Sequence, residues 1–315
     1  MRVHLPSALA GAAAWLVLVA MHRLSPFDVG WAHALLLFAP LVLVPLALRC
    51  FPLAAPMSFA WRTATILQLP AVLLLTWSFL TPQGNVAAAL SLPWLAVTGL
   101  LAMVGLSGAW RNHRGPLAGL SLDVALVYLA IGAFWTTLDR WGQRPLDFEP
   151  VIVLLTGIHF HYAGFMLLVL TALAMRQLPG RLSSMTGIGV IVAVPLTAVG
   201  ITASQLGYGS LLEALAAWFM ALAGISVGVL YCRLGLRQTA PASSRSLFLL
   251  AGLALLAGMG LAGLYGARFY CSIPWLDIPW MRALHGSLNA LGFSLAGIVG
   301  WQFHPSISSL HMMPP

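Results

Sequence analysis

Residues 150–175 read PVIVLLTGIHFHYAGFMLLVLTALAM, an apolar run without a single Asp, Glu, Lys or Arg, interrupted only by Thr156, His159, His161, Tyr162 and Thr171. A helix needs roughly 20 mostly apolar residues to cross the hydrocarbon core of a bilayer, and this stretch is long enough. Working outward, the same test selects nine more runs, so that the ten are 5–21, 31–48, 63–81, 87–109, 118–138, 150–175, 185–204, 210–231, 246–266 and 284–302. Run 31–48 is short and holds Pro40 and Pro45. The composition agrees: 60% of the 315 residues are hydrophobic and only 7% charged, with 15 basic and seven acidic side chains. Soluble domains carry about 25% charged residues, so an ordinary globular protein is excluded. The expected fold is all-α: a polytopic bundle of about ten transmembrane helices forming a single domain over 1–315.

The net charge of +8 does not point to nucleic acid, because the arginines occur in ones and twos between apolar runs, and no lysine is present. Their spacing fits lipid headgroups, with the bilayer as the principal partner. Cytoplasmic loops collect Lys and Arg. With the N-terminus inside, Arg2, Arg49, Arg62, Arg111, Arg114, Arg176, Arg181, Arg233, Arg237 and Arg245 lie on the cytoplasmic side, facing only Asp123. Arg23, Arg140, Arg144, Arg268 and Arg282 lie outside with the other six acids, which predicts both termini in the cytoplasm. The first run resembles a secretory signal, yet it leads into His22-Arg23 with no small-residue cleavage site, and reads as a retained anchor. The stretch 267–283 is dense in Trp, Tyr and Pro, as expected of an aromatic belt at the outer interface. An inverted repeat of two five-span halves is compatible with this topology, but the halves share no convincing self-similarity. Cys50, Cys232 and Cys271 form no metal or disulfide pattern.

Ionisable groups inside spans are costly and are functional candidates by default. On a helix, His159 and His161 point about 200° apart, so they cannot share one metal ion. His159 shares its face with Thr156, Tyr162 and Ala163, a polar stripe suited to a cavity. His161 lies among Gly157, Gly164 and Phe165, where small residues admit a neighbouring helix. In span 10, His285 and Asn289 are four apart and share a face. Both His159 and His285 fall in the outer half, so spans 6 and 10 can bring His159, Tyr162, His285 and Asn289 together. Tyr128, Gly132, Trp135, Thr136 and Asp139 line one face of span 5 toward the same half, although Asp139 can equally form a surface ion pair with Arg140. Glu213 follows Ser210 by three residues, the capping-box spacing. Asp147 and Glu149 read as helix-start acids and Asp123 as a cap or ion pair.

H-x-x-x-N also occurs in intramembrane CAAX-type proteases, but their paired-glutamate motif is absent. Aspartate-rich prenyltransferase motifs and H-E-x-x-H are absent as well. The strings Ile158-His159-Phe160-His161-Tyr162-Ala163-Gly164-Phe165 and His285-Gly286 followed by Asn289-Ala290-Leu291-Gly292-Phe293 resemble those of the YndJ-like bacterial membrane proteins. That resemblance implies a many-helix bundle in a bacterial inner membrane, and little about chemistry.

The expected function is an integral membrane enzyme, needing no cofactor or metal, that isomerises, cyclises or hydrolyses a lipophilic small molecule such as an epoxide or terpenoid. Acid–base chemistry falls to His159, Tyr162, His285 and either Asp139 or Glu213, and substrate contacts to Thr156, His161, Trp135 and Asn289. The alternatives are a proton-coupled transporter, which suits ten spans, and a haem or metal protein in which His159 or His161 pairs with His285. The sequence specifies neither substrate nor oligomeric state.

Overall fold

The computed structural model describes residues 4–51, 58–111 and 115–305. Among the described residues there are no strands, and ten helices are long and apolar enough to cross a membrane. They are α1 (His4–Met21), α2 (Gly30–Leu48), α3 (Phe59–Leu80), α4 (Asn85–Arg111), α5 (Leu117–Trp141), α6 (Pro150–Gln177), α7 (Arg181–Gln205), α8 (Leu211–Leu236), α9 (Ala242–Phe269) and α10 (Ile278–Gln302). All ten expected spans are present. Several helices outrun the apolar runs that identify them, α8 by five residues at its C-terminal end and α10 by six at its N-terminal end. Hydropathy marks where a helix meets hydrocarbon, whereas backbone hydrogen bonding continues into the polar interface. Arg2 and Arg114 of the charge tally lie outside the described residues.

The centre of the bundle is α2. Of its apolar stretch 94% is buried, against 28–56% for the other nine helices. Its sequence, GWAHALLLFAPLVLVPLAL, is apolar on every face, which is the pattern of a helix surrounded by others. The prolines then dictate its neighbours. Pro40 and Pro45 lack an N–H, and between them the helix widens into π turns over Ala39–Leu43, with the Val44 N–H bonded to the Ala39 carbonyl five residues back. Continued by one residue, that register puts the missing Pro45 donor on the Pro40 carbonyl, and at the α-to-π junction the Ala39 N–H turns to Leu36 and Pro40 has none to offer Leu35. The Tyr162 hydroxyl of α6 donates to Leu35 at 2.7 Å, and the Gln68 amide of α3 donates to Pro40 at 2.8 Å. From α1 the Trp15 indole N–H reaches the Ala34 carbonyl at 2.7 Å. A Cβ on Gly11 of the same helix would lie 2.0 Å from the Leu41 carbonyl oxygen, so only glycine permits this approach.

The same device recurs in α7. Pro195 deprives the Ile191 carbonyl, four residues back, of its donor, and the Tyr128 hydroxyl of α5 supplies one at 2.9 Å. Helices α5 and α6 meet through small residues, as the flanks of His161 predict. A Cβ on Gly157 would stand 2.9 Å from the Thr136 hydroxyl, and one on Gly132 only 2.7 Å from the His161 ring.

The acids depart from several expectations. Asp139 and Arg140 are paired at 3.5 Å but are buried, with side chains only 3–4% exposed, rather than at the surface. Arg140 donates to the Thr81 carbonyl at 2.8 Å and stacks on Phe79, while Gln83 bonds the Asp139 carbonyl at 2.9 Å, so the pair fastens the α3–α4 turn. Ser210 makes no capping bond: its backbone is already helical, and Glu213 is drawn to Arg268 instead. Asp123 lies in the second turn of α5, beyond the reach of a cap, against Gly105 and Gly108 of α4. The segment joining α9 to α10 carries the expected aromatic cluster, with Trp280 edge-on to Phe27 and to Trp275.

Gln68→Leu leaves the Pro40 carbonyl without a donor inside the bundle. We expect it to destabilise the protein by about 1–2 kcal/mol in mixed-micelle unfolding. Leu67→Met, on the exposed face of the same helix, should change stability by less than about 0.5 kcal/mol. Equal effects of the two would refute the role given to Gln68.

Candidate functional site

Among the described residues, three of the four π-helical segments are in α6 and α10, at the polar strings of the sequence. In α6 the wide turns run over Phe160–Leu167, directly after His159; in α10 they run over Met281–Gly286 and Leu288–Leu295, containing His285 and Asn289. Such turns recur at functional sites because they displace side chains from the regular helical ladder. Between these helices, in the half of the bundle nearest the 142–149 and 267–277 connections, lies a cavity of about 430 Å³. Its walls come from α2 and α5–α10 and are largely apolar.

Seven of the nine sequence-predicted site residues line this cavity: Trp135, Thr156, His159, Tyr162, Glu213, His285 and Asn289. The face sorting of α6 holds, since Ala163 joins Thr156, His159 and Tyr162 on the cavity wall. The structure does not bring Asp139 or His161 there. Asp139 is held in its pair with Arg140. His161 is wholly buried against α4 and α5, where the Trp94 indole donates to its Nε2 at 3.2 Å and its Nδ1 lies 2.8 Å from the Gly157 carbonyl.

Those partners fix the ring states. An indole N–H only donates and a carbonyl only accepts, so His161 is neutral with the proton on Nδ1. Both its nitrogens are engaged, which leaves no lone pair for a haem or metal ion. His285 Nδ1 lies 2.8 Å from the Gly258 carbonyl and must donate, while Asn289 Nδ2 donates to Nε2 at 3.0 Å. His285 is therefore also neutral, again with both nitrogens occupied. His159 is the opposite case. Its Nε2 lies 3.2 Å from the Val194 carbonyl and donates, leaving Nδ1 as a basic lone pair with no donor among the described residues, on a ring that lines the cavity.

The remaining polar groups are not equivalent. The Tyr162 hydroxyl is committed as a donor to Leu35. Thr156 bonds back to the Ile152 carbonyl at 2.7 Å. Trp135 stacks on Phe148, ring centroids 6.2 Å apart, and closes one side. Glu213 forms an ion pair with Arg268, whose guanidinium lies 4.0 Å from the Tyr265 and Phe269 rings. Arg268 and Arg282 are the charged cavity residues that sequence reasoning missed, because single arginines at span ends look like headgroup anchors until the fold pairs or isolates them.

Comparison with known proteins now adds the family. The family model described as YndJ-like protein matches residues 34–293. The chain belongs to the YndJ-like family. A curated relative from Bacillus subtilis (strain 168), named uncharacterized membrane protein YndJ, is 26% identical over 217 residues, 67% of this chain. The match spans 38% of that relative's length, so the chain corresponds to well under half of it. No solved structure matches. The matched region takes in both π-wound segments of the cavity wall up to Phe293, so the family assignment covers most of the site.

Nitrogen-15 histidine NMR on the labelled protein checks the ring assignments. His161 and His285 should give the signature of a proton on Nδ1 and His159 that of a proton on Nε2. An Nδ1-protonated His159 would remove the open base.

Proposed function

We propose that the chain is a multi-pass enzyme of the bacterial inner membrane, both termini cytoplasmic, that carries out cofactor-independent acid–base chemistry on a lipophilic substrate. The observation that carries this reading is the open Nδ1 of His159 on the wall of a largely apolar cavity, its ring fixed from behind by the Val194 carbonyl. A positioned neutral imidazole can accept a proton and return it elsewhere on the same molecule.

The neighbours narrow the chemistry. Glu213 is taken up by its ion pair with Arg268, and the Tyr162 hydroxyl already donates to Leu35. With one open base and no independent acid, isomerisation fits better than hydrolysis or cyclisation. His159 takes a proton from one carbon of the substrate and delivers it to another, which leaves atoms and charge balanced. The engaged His285 and Asn289 then serve to shape and orient, and Trp135 and Thr156 to contact the apolar body.

Incubating the reconstituted protein with a total bacterial lipid extract in deuterium oxide tests this directly. A lipid species should gain deuterium by mass spectrometry, and His159→Ala should slow that gain at least 100-fold, within the usual range for a general base. Undiminished labelling in His159→Ala would overturn the reading. Passage of a lipophile across vesicles with no label gained would point to a carrier instead.

A further inference from the structure

We infer that the cavity selects an amphiphile with a single anionic head group, and that Arg282 holds that head. This deepens the enzyme reading of the same cavity by naming its substrate class, although the binding step stands without the chemistry.

Charge within the cavity carries the argument. Two guanidiniums line it, and they differ in what surrounds them. Arg268 is neutralised by Glu213, covered by two aromatic rings, and donates to the Tyr265 carbonyl at 3.0 Å. Arg282 has no carboxylate within ion-pair distance among the described residues. One of its terminal nitrogens donates to the Phe27 carbonyl at 2.6 Å, a neutral acceptor, and its Nε is buried with no partner. Asp28 lies within electrostatic reach of Arg282, but its Oδ2 accepts the Ser25 N–H within its own turn, and that hydrogen bond holds the carboxyl below its usual range. Arg282 thus presents a guanidinium that no carboxylate binds directly, with donors left for an anion from a ligand. The fork of donors on arginine suits a carboxylate or a phosphate.

The rest of the cavity fixes the other end of the ligand. Leu35, Phe148, Ile158, Ala198 and Met259 offer nothing to a charged group and suit an alkyl or isoprenoid body. His159 presents its base on the α6 wall, away from the helix that carries Arg282. An anchored head would thus hold the apolar part of the ligand beside the open Nδ1.

The test uses the full chain in nanodiscs and scintillation proximity binding of tritiated dodecanoate and tritiated dodecanol, with dodecyl phosphate as a competitor. Wild-type protein should bind dodecanoate at least tenfold more tightly than dodecanol, and Arg282→Gln should abolish that preference while keeping dodecanol binding. A dodecyl phosphate that outcompetes dodecanoate identifies a lipid phosphate head, and the reverse order a free carboxylate; either supports the inference. Arg282→Lys, which keeps the charge, should retain part of the preference, and it decides the matter if Arg282→Gln binds neither probe: loss of anion preference in the lysine variant would then overturn the inference. Equal binding of dodecanol and dodecanoate by the wild type, or an unchanged preference in Arg282→Gln, also overturns it. Anion binding through Arg282 without deuterium gain sinks the enzyme reading alone, and His159-dependent labelling without anion preference sinks this inference alone.

Discussion

A backbone carbonyl in hydrocarbon must find a donor, and the architecture follows from where prolines remove one. In α2 the prolines and the change from α to π turns leave the Leu35 and Pro40 carbonyls short of a backbone donor, and side chains from α6 and α3 supply the replacements. Water cannot do so at that depth, and each unmet group would cost several kcal/mol. The prolines therefore act as addresses, specifying which helices stand against α2 and at what height. Tyr162 is one of those bonds, so the helix carrying His159 takes its height from the centre of the bundle.

This requirement also divides labour among the polar residues. Tyr128, Tyr162 and Gln68 complete damaged backbone ladders, and His161 braces the α4–α5–α6 contact through Trp94 and Gly157. Each of these is a polar residue within a span, yet its bonding capacity goes to the fold. What remains open on the cavity wall is short by comparison: the His159 Nδ1, the Asn289 Oδ1 and donors of the Arg282 guanidinium. Function is read more safely from what the fold leaves unsatisfied than from polarity alone.

Much of this was legible beforehand, and the limits have physical causes. Span number follows from apolar run length, which the bilayer thickness sets. The two faces of α6 follow from the 3.6-residue period, and Thr156, His159, Tyr162 and Ala163 do share a wall. The centrality of α2 is written in its composition, because a run apolar on all sides has no face to give to water. The π turns were not legible, because an alternative register is chosen by tertiary partners such as Tyr162 and Gln68 rather than by local preference. The Asp139–Arg140 pair was misplaced for a related reason. Adjacent opposite charges at a span end look alike whether they face headgroups or a turn such as 82–84 that folds back over them.

Scarcity of charge gives the last step. With only seven acids in the chain, an arginine at a span end finds a carboxylate only where the fold provides one. Glu213 provides one for Arg268 by giving up its place in a helix cap, and the pair adds no net charge to the cavity. His285 has both ring nitrogens in bonds that require a neutral imidazole, and the bond of His159 to Val194 needs no charge on the ring. The site therefore holds one guanidinium with no carboxylate bound to it at one wall and one unprotonated nitrogen at another. In a medium that screens poorly, these are complementary demands on a ligand: a fixed negative charge at the first and a transferable proton at the second. A neutral lipid satisfies only the second, and a small inorganic anion only the first. An anionic amphiphile whose chain reaches α6 satisfies both, so the electrostatics of Arg282 and the chemistry of His159 converge on one kind of molecule.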